Sequence, residues 1–342
     1  MENIILGLHQ LGRFIAEFLA KNPENYDEND QFFYSLLKRS EIENPWFTIE
    51  NQRFALEHWS TLLKVDAIKN WLSAYTIKNQ GKKVGLILAG NIPMVGFHDV
   101  ISVVLTGNIP LIKMSSKDKR ILPFLMEKWN DFSGGKLNYH LVEKLIDYDA
   151  VIATGSNNTA RYLEYYFKDK PSIIRKNRTS IAVLGGDESE EELRKLSEDI
   201  FRYFGLGCRN VTRLFIPDNF KLDRLFENFV SFQGVINHHQ YANNYDYNRA
   251  IYLLNQEKFW DNNFVLLKED TALFSPLAVV NFSRYKNINE VENFLRIEKE
   301  NIQCVVKSEK INIDGLKLGE AQYPKLDTYA DCVDTLAFLA AL

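Results

Sequence analysis

The sequence predicts an α/β fold: a doubly wound parallel sheet in the middle of the chain, helices before it, and a second α/β domain after it. Three observations carry that reading. Residues 1–80 repeat apolar side chains at helical spacing, and from residue 82 short continuous apolar runs end in glycine. Strands and helices then alternate at the spacing of βαβ units.

Taken in order, "HQLGRFIAEFLAKN" and "RFALEHWSTLLKVDAIKNWLSAY" place apolar residues at i, i+3, i+4 and i+7 with charge between them, which predicts helix. "ENDQFFYSLLKRSEIENPWFT" links them, and Pro45 breaks the helix before it. "KKVGLILAG" ends at Gly90 and has the pattern of a strand buried on both faces. A helix over "IPMVGFHDVISVVLTG" stops at Gly107, and "NIPLIKMSS" is a second buried strand. The helix "RILPFLMEKWNDF" leads through "SGGKLNYHLVEKLIDY" to "AVIATGS", a strand ending in Gly155 and Ser156. The helix "NTARYLEYYFKDK" and the strand "SIAVLGG" follow. Beyond Cys208, "VTRLFIP" reads as strand, "KLDRLFENFVSF" as helix, "INHHQYANNYDYN" as a polar-aromatic loop, "SPLAVVNF" as strand and "NINEVENFLRIEKEN" as helix. No internal repeat or low-complexity stretch interrupts the pattern.

Composition narrows the function classes. A chain of 342 residues has room for two domains and a sizeable core. The net charge of −4 argues against nucleic acid as a partner, because phosphate binding needs clustered cation. No apolar run reaches the roughly 18 residues of a membrane span. The start, "MENIILGLHQ", has an acidic leader and no small-residue cleavage site, so no signal peptide is expected. Three widely spaced cysteines form neither a disulfide framework nor a zinc site. The expectation is a reduced, cytoplasmic protein.

Ligands of a doubly wound sheet bind at the carboxyl ends of its strands. Those ends carry Gly90-Asn91-Ile92-Pro93, Lys113-Met114-Ser115-Ser116 and Thr154-Gly155-Ser156. The fingerprint GxGxxG is absent, and so is the acid that takes ribose hydroxyls at the end of the second strand. A lysine, two serines and "KDKR" stand there instead, which suits a phosphorylated ribose or a nucleotide phosphate. The plainer alternative is a solvated loop.

Further on, "FGLGCRNVTRLFIP" delivers Cys208 to the start of a strand on a flexible glycine-leucine-glycine step. The thiol is either a small buried apolar group or a nucleophile. Arg209 beside it, or a helix N-terminus, would favour the thiolate, although Arg209 equally suits a solvent-facing position. Cys304 in "NIQCVVK" and Cys332 in "YADCVDT" read as packing. His238 and His239 have no third ligand spaced nearby, so no metal site is expected. Their segment is either a packed connector or a substrate-facing loop that brings His238 or Tyr241 to the reacting group, as an acid or base or as a binding contact.

The stretches "LILAGNIPMVGFHDVISVVLTGNIPLIKMSSKD", "ATGSNNTARYLEYYF" and "IAVLGG", with the cysteine after "GLG", follow one another as in the aldehyde dehydrogenase superfamily. More closely, they resemble its acyl-CoA reductase branch, the LuxC-like proteins, over roughly residues 40–342 and including "GEAQYPKLDTYADCVDTLAFL". The resemblance implies an aldehyde dehydrogenase-like fold with Cys208 as the catalytic thiol and Asn91 as the amide that helps bind the oxyanion. It implies that Lys113 holds the adenosine ribose, and that Gly155 and Ser156 line the turn beside the nicotinamide and pyrophosphate. Two departures stand out. Val183 occupies the place read as the family's water-activating glutamate, which suits reduction of an acyl group better than hydrolysis. In "EDTALFSPLAVV", Ala272 stands where a glutamate would hold the nicotinamide ribose, with Glu269 and Asp270 as the nearby acids.

The expected organisation is therefore a helical region over 1–80, a dinucleotide-binding domain over 81–205, a catalytic thiol domain over 206–312, and a tail over 313–342 that serves as an oligomer contact. The implied reaction is reduction of a medium- to long-chain fatty acyl-CoA to the aldehyde through a cysteine thioester. Lys113, Ser115 and Ser116 favour NADPH, and NADH also fits. The alternatives are a coenzyme A-acylating aldehyde dehydrogenase acting on short aldehydes, and a non-catalytic partner subunit that binds nucleotide or acyl groups. A homodimer and an acyl-activating partner protein follow from the resemblance alone.

Overall fold

The computed structural model describes residues 1–78 and 80–342. The chain forms two compact units, the first from residues 1–176 together with 325–342, the second from 177–324.

The first unit begins with four helices: α1 (Glu2–Ala20), α2 (Glu28–Glu43), α3 (Ile49–Leu62) and α4 (Val65–Ser73). Ile5, Leu8, Leu11, Ile15 and Phe18 form the buried stripe of α1 at the predicted spacing. Asp27 caps α2 reciprocally with Asp30, and Thr48 caps α3 through the Asn51 N–H. The run over 53–75 divides into α3 and α4 at Leu63–Lys64, where no proline or glycine marks the break.

A five-stranded sheet follows: β1 (Lys83–Ile87), α5 (Phe97–Leu105), β2 (Ile109–Lys113), α6 (Ile121–Phe132), β3 (His140–Leu141), β4 (Ala150–Thr154), α7 (Asn157–Tyr166) and β5 (Ser172–Arg175). Its order is β3-β2-β1-β4-β5 and every pair is parallel. Gly107 (φ 74) ends α5 as predicted, a left-handed position that glycine adopts without a Cβ clash. The helix starts at Phe97 rather than Ile92, because Met94 (φ 61) is itself left-handed and holds residues 91–96 in turns.

The second unit contains β6 (Thr179–Val183), α8 (Glu190–Phe201), β7 (Val211–Pro217), α9 (Asp223–Phe229), α10 (His239–Leu254), β8 (Trp260–Asp261), β9 (Leu266–Glu269), β10 (Val279–Tyr285), α11 (Ile288–Ile297), β11 (Ile302–Lys307) and β12 (Leu316–Lys317). The sheet order is β12-β11-β6-β7-β10-β9-β8, parallel except at the β8–β9 edge. One face packs Leu214, Phe229 and Phe282 with α8 and α9; the other packs Ile181, Val183 and Phe215.

Three expectations change. The boundary at 205/206 falls inside the second unit, because β6 hydrogen-bonds to β7 and β11 and so belongs to the second sheet. Residues 236–248 are not a loop: a 3-10 segment ends at Asn237, His238 caps α10 and α10 takes 239–248, with Tyr241, Tyr245, Asn248 and Tyr252 as its buried stripe. The tail is used within its own chain. Residues 313–324 belong to the second unit, while from 325 the chain returns to the first and ends in α12 (Thr335–Ala340). There Tyr329 accepts a hydrogen bond from Trp71 Nε1 (2.8 Å) and shares one with Tyr75 (2.7 Å), and His98 Nε2 lies 2.8 Å from the Leu326 carbonyl. Arg175 makes a buried two-pronged ion pair with Asp99 and donates to Thr335 Oγ1 (3.1 Å). Among the described residues no helix is long and apolar enough to cross a membrane.

Candidate functional site

In the first sheet the connections leave β1 in one direction and reach β4 in the other, so the crevice between these strands is the topological switch point. The segments leaving the carboxyl ends of β1, β2 and β4 carry Asn91, then Lys113 with Ser115 and Ser116, then Gly155 with Ser156. The structure thus gathers all six predicted residues of this unit at one edge of three adjacent strands. Asn91, Ser116 and Ser156 are exposed. Ser156 caps α7, its Oγ accepting from the Thr159 N–H (3.3 Å), which sets the start of that helix at the edge. Gly155 serves packing there: a Cβ would come within 2.9 Å of the Thr159 side chain. A cation, two hydroxyls and a helix N-terminus fit the phosphates and ribose of a nucleotide.

Sequence reasoning missed the residue that fixes this edge. Asp118 is 8% exposed and its Oδ2 accepts from the Met94 N–H (3.2 Å), on the segment that follows Asn91. Its own N–H donates to the Ser115 carbonyl (3.2 Å). Asp118 therefore joins the Asn91 segment to the Lys113–Ser116 segment. Burial pushes its carboxyl up to about 6, against the lowering effect of the Met94 N–H. Gly90 permits the close fit, since a Cβ there would meet Ser115 Oγ at 2.4 Å.

In the second unit Cys208 is half-buried on the turn Gly207–Asn210 that leads into β7. Asn210, fully buried, clamps that turn. Its Oδ1 accepts from the Gly207 N–H (2.8 Å), and its Nδ2 donates to the carbonyls of Asp199 (3.3 Å), Ile200 (3.2 Å) and Arg202 (2.7 Å) at the end of α8. From the other side Ser180 Oγ donates to the Cys208 carbonyl (3.1 Å). That hydroxyl has one proton, so it accepts from the Cys304 N–H (3.2 Å) and the Cys304 thiol (3.1 Å). Cys304 thus buttresses the turn from β11. Cys332 is exposed and left-handed (φ 56), so packing is not its role.

The approach to Cys208 is strained. Tyr203, Phe204 and Gly205 are consecutive left-handed residues (φ 55, 58 and 80), and only the glycine adopts that conformation freely. The two aromatic residues store roughly 1–2 kcal/mol each. Arg209 neither faces solvent freely nor stands as a loose cation beside the thiol: its Nε donates to the Ala321 carbonyl. The same loop is held by buried Asp199, which accepts from the Gly319 (2.6 Å) and Ala321 (2.8 Å) N–H groups. Burial raises Asp199 to about 7, outweighing those donors and the Arg209 charge.

His238 is the N-cap of α10, its Nδ1 accepting from the Tyr241 N–H (3.4 Å). Its ring lies 4.3 Å from that of Phe204, so the start of α10 rests on the strained segment before Cys208. Tyr241 is buried beside it, and burial raises its hydroxyl well above the usual tyrosine range. His239 points its Nδ1 to Asn243 (3.3 Å). Among the described residues no group of three or more His, Cys, Asp or Glu side chains is arranged to hold a metal.

The Cys208 turn is bonded to Ser180, at the β6 residue paired with Val211; Val183 lies three residues further along the same strand, pairs with Phe215 and is buried in the core. In the "EDTALFSP" segment, Thr212 Oγ1 donates to the Leu273 carbonyl (3.0 Å) and Asn281 Nδ2 to those of Ala272 (3.1 Å) and Phe274 (3.3 Å), which fixes the segment against β7 and β10.

The family described as acyl-CoA reductase (LuxC) matches residues 49–230, more than half of the chain. No curated protein matches it. Solved structures match at low identity over nearly the whole chain. Aldehyde dehydrogenase 21 from Physcomitrella patens, in complex with the reaction product succinate, is 13% identical with a TM-score of 0.64, covering 98% of this chain and 84% of its own. An indole-3-acetaldehyde dehydrogenase complexed with NAD+ is 12% identical with a TM-score of 0.63, covering 90% and 72%. A mutant aldehyde dehydrogenase C from Pseudomonas syringae, complexed with NAD+ and octanal, is 13% identical with a TM-score of 0.61, covering 94% and 82%. The fold is therefore that of the aldehyde dehydrogenases, and the chain belongs to the acyl-CoA reductase (LuxC) family, oxidoreductases that act on acyl and aldehyde groups.

Proposed function

We propose that the protein reduces an acyl-CoA to the aldehyde, releasing coenzyme A, with Cys208 as the nucleophile. The observation that carries this reading is the Cys208 turn: a half-buried thiol whose backbone is clamped by Asn210 on one side and Ser180 on the other. A cysteine kept only for packing needs no such fastening. In the proposed reaction the Cys208 thiolate attacks the acyl carbonyl. A new sulfur–carbon bond forms as the bond to coenzyme A breaks, so coenzyme A leaves as its thiolate. Exchange of one thioester for another is nearly neutral in energy, and sulfur attacks readily. The Cys208 N–H is assigned to the developing oxyanion, where losing one donor typically costs about 10²–10³ in rate.

A nicotinamide nucleotide, which four of the structural relatives carry as NAD+, supplies the hydride when bound. Lys113, Ser115 and Ser116 are assigned to its adenosine ribose and favour NADPH over NADH. Gly155, Ser156 and the start of α7 are assigned to the pyrophosphate. His238 is assigned a supporting place, as the cap of α10 against Phe204. The family likeness implies a medium- to long-chain fatty acyl group, a homodimer, an acyl-activating partner protein and a cytoplasmic setting. These are proposals on that likeness alone.

The test is the intact mass of the purified protein after incubation with palmitoyl-CoA, octanoyl-CoA or butanoyl-CoA in the absence of nucleotide. We expect one added acyl group, lost in Cys208→Ala. A folded protein that accepts no acyl group from any of the three esters would overturn the reading and leave the non-catalytic subunit in its place.

A further inference from the structure

Ser180 lies fully buried on β6, and its hydroxyl is the meeting point of β11 and the Cys208 turn. The Cys304 N–H (3.2 Å) and the Cys304 thiol (3.1 Å) donate to its oxygen from one side. Both lone pairs are then engaged, and the single proton is left for the Cys208 carbonyl (3.1 Å).

What this does to the turn follows from peptide stereochemistry. No peptide bond among the described residues is cis, so the Cys208 carbonyl and the Arg209 N–H share one plane and point in opposite directions. Ser180 draws the carbonyl inward, and the Arg209 N–H is thereby turned outward. Outward is the accessible side: Cys208 and Arg209 are half-buried at the tip of the turn, whereas Gly207 and Asn210 on either side are buried. The turn does not consume that donor. It closes through the Asn210 N–H on the Gly207 carbonyl (3.0 Å), and the Arg209 side chain goes to the Ala321 carbonyl. Among the described residues the Arg209 N–H itself has no acceptor. Its nearness to the nucleophile is covalent, since only the Cβ, Cα and carbonyl carbon of Cys208 separate the nitrogen from the sulfur.

We propose that Ser180 is a positioning residue for the acylation of Cys208: by holding the Cys208 carbonyl it presents the Arg209 N–H as a second donor to the oxyanion, beside the Cys208 N–H. The inference rests on the thioester reading of Cys208. When the thiolate attacks, the acyl carbon gains the sulfur and its oxygen takes the negative charge. That charge lasts until the bond to coenzyme A breaks and coenzyme A leaves as its thiolate. The N–H of the residue after a nucleophile meets the same need in other acyl-transfer enzymes. The Ser180 bond also polarises the peptide that joins Cys208 to Arg209, which strengthens the N–H as a donor.

The experiment compares two reactions of Cys208 in the whole protein, each followed by mass at the peptide that bears it. Acylation by octanoyl-CoA builds an oxyanion. Alkylation by iodoacetamide forms a sulfur–carbon bond as iodide leaves, and builds none. Ser180→Ala loosens the Arg209 donor rather than deleting it, and should slow acylation about tenfold, the contribution of one hydrogen bond. Alkylation should keep its native rate. Because Ser180→Ala leaves buried groups unpaired, Ser180→Cys supplies a second reading: it keeps the volume, donates weakly, and should slow acylation severalfold with alkylation again unchanged. A role in shape alone predicts an equal fall in both reactions. That result, or a native acylation rate in the folded variants, would refute the positioning role and leave the thioester reading intact. If native Cys208 is alkylated but takes no acyl group from palmitoyl-CoA, octanoyl-CoA or butanoyl-CoA, the thioester reading itself fails, and the positioning role with it.

Discussion

Asp118 and Asp199 are carboxyls that burial holds near neutrality, at about 6 and about 7. Both folded values lie above the ordinary 3.8, so the native state retains protons that the unfolded chain has lost. The contribution of these two groups to stability is then greatest below about pH 4, falls as pH rises through the window up to 6 or 7, and is level above it. Each group contributes a slope of up to about 1.4 kcal/mol per pH unit inside its window. We expect urea unfolding of Asp199→Asn, compared with the native protein at pH 5 and at pH 8, to improve for the variant as pH rises. An identical difference at the two pH values would show that Asp199 is ionised throughout. These two residues also mark what the sequence hides. Cys208 was legible as a candidate because glycines flank it and its family position is fixed. Asp118 looked like part of a charged "KDKR" run, and Asp199 like one acid in an acidic helix. What sets them apart is contact with Met94 and with Gly319 and Ala321, the latter 120 residues or more away, and no local pattern encodes that.

At the scale of elements, α8 and β7 meet through one side chain. Asn210 bonds three carbonyls at the end of α8 and one N–H of the Cys208 turn, so it spans the strained Tyr203–Gly205 segment like a brace. Asn210→Ala leaves those buried groups unpaired and should cost about 2–4 kcal/mol. It should also slow Cys208 acylation under conditions where the variant is still folded. Thermal unfolding and the mass assay separate the two effects, and an unchanged acylation rate in folded variant would reduce Asn210 to a stabilising residue. Most elements were legible from period alone, and α10 was the main exception. Its buried stripe of Tyr241, Tyr245, Asn248 and Tyr252 has helical spacing, but tyrosine and asparagine replace the aliphatic residues that usually reveal it. The membership of β6 was illegible for another reason. An apolar run announces a strand, but its ladder partners decide which sheet receives it.

At the scale of the molecule, Arg175 closes the first unit, binding Asp99 from α5 and Thr335 from α12. Removing one partner of a buried pair leaves an uncompensated charge, a loss of roughly 3–5 kcal/mol. We expect Arg175→Ala to lower amide protection against hydrogen exchange in β1, β4, β5 and α12, with β6, β7 and β10 less affected. Equal loss in both sheets would show that the units unfold as one. The alternation of strands and helices made two α/β units readable, but the return of residues 325–342 to the first could not be seen. It depends on Tyr329, Leu326 and Thr335 finding partners more than 150 residues upstream.

That return has a consequence for biosynthesis. The ribosome translates the whole of the second unit before it reaches α12 and the segment that receives His98 and Trp71. The first unit, whose strands are made early, therefore keeps an open seam until residues 325–340 have followed.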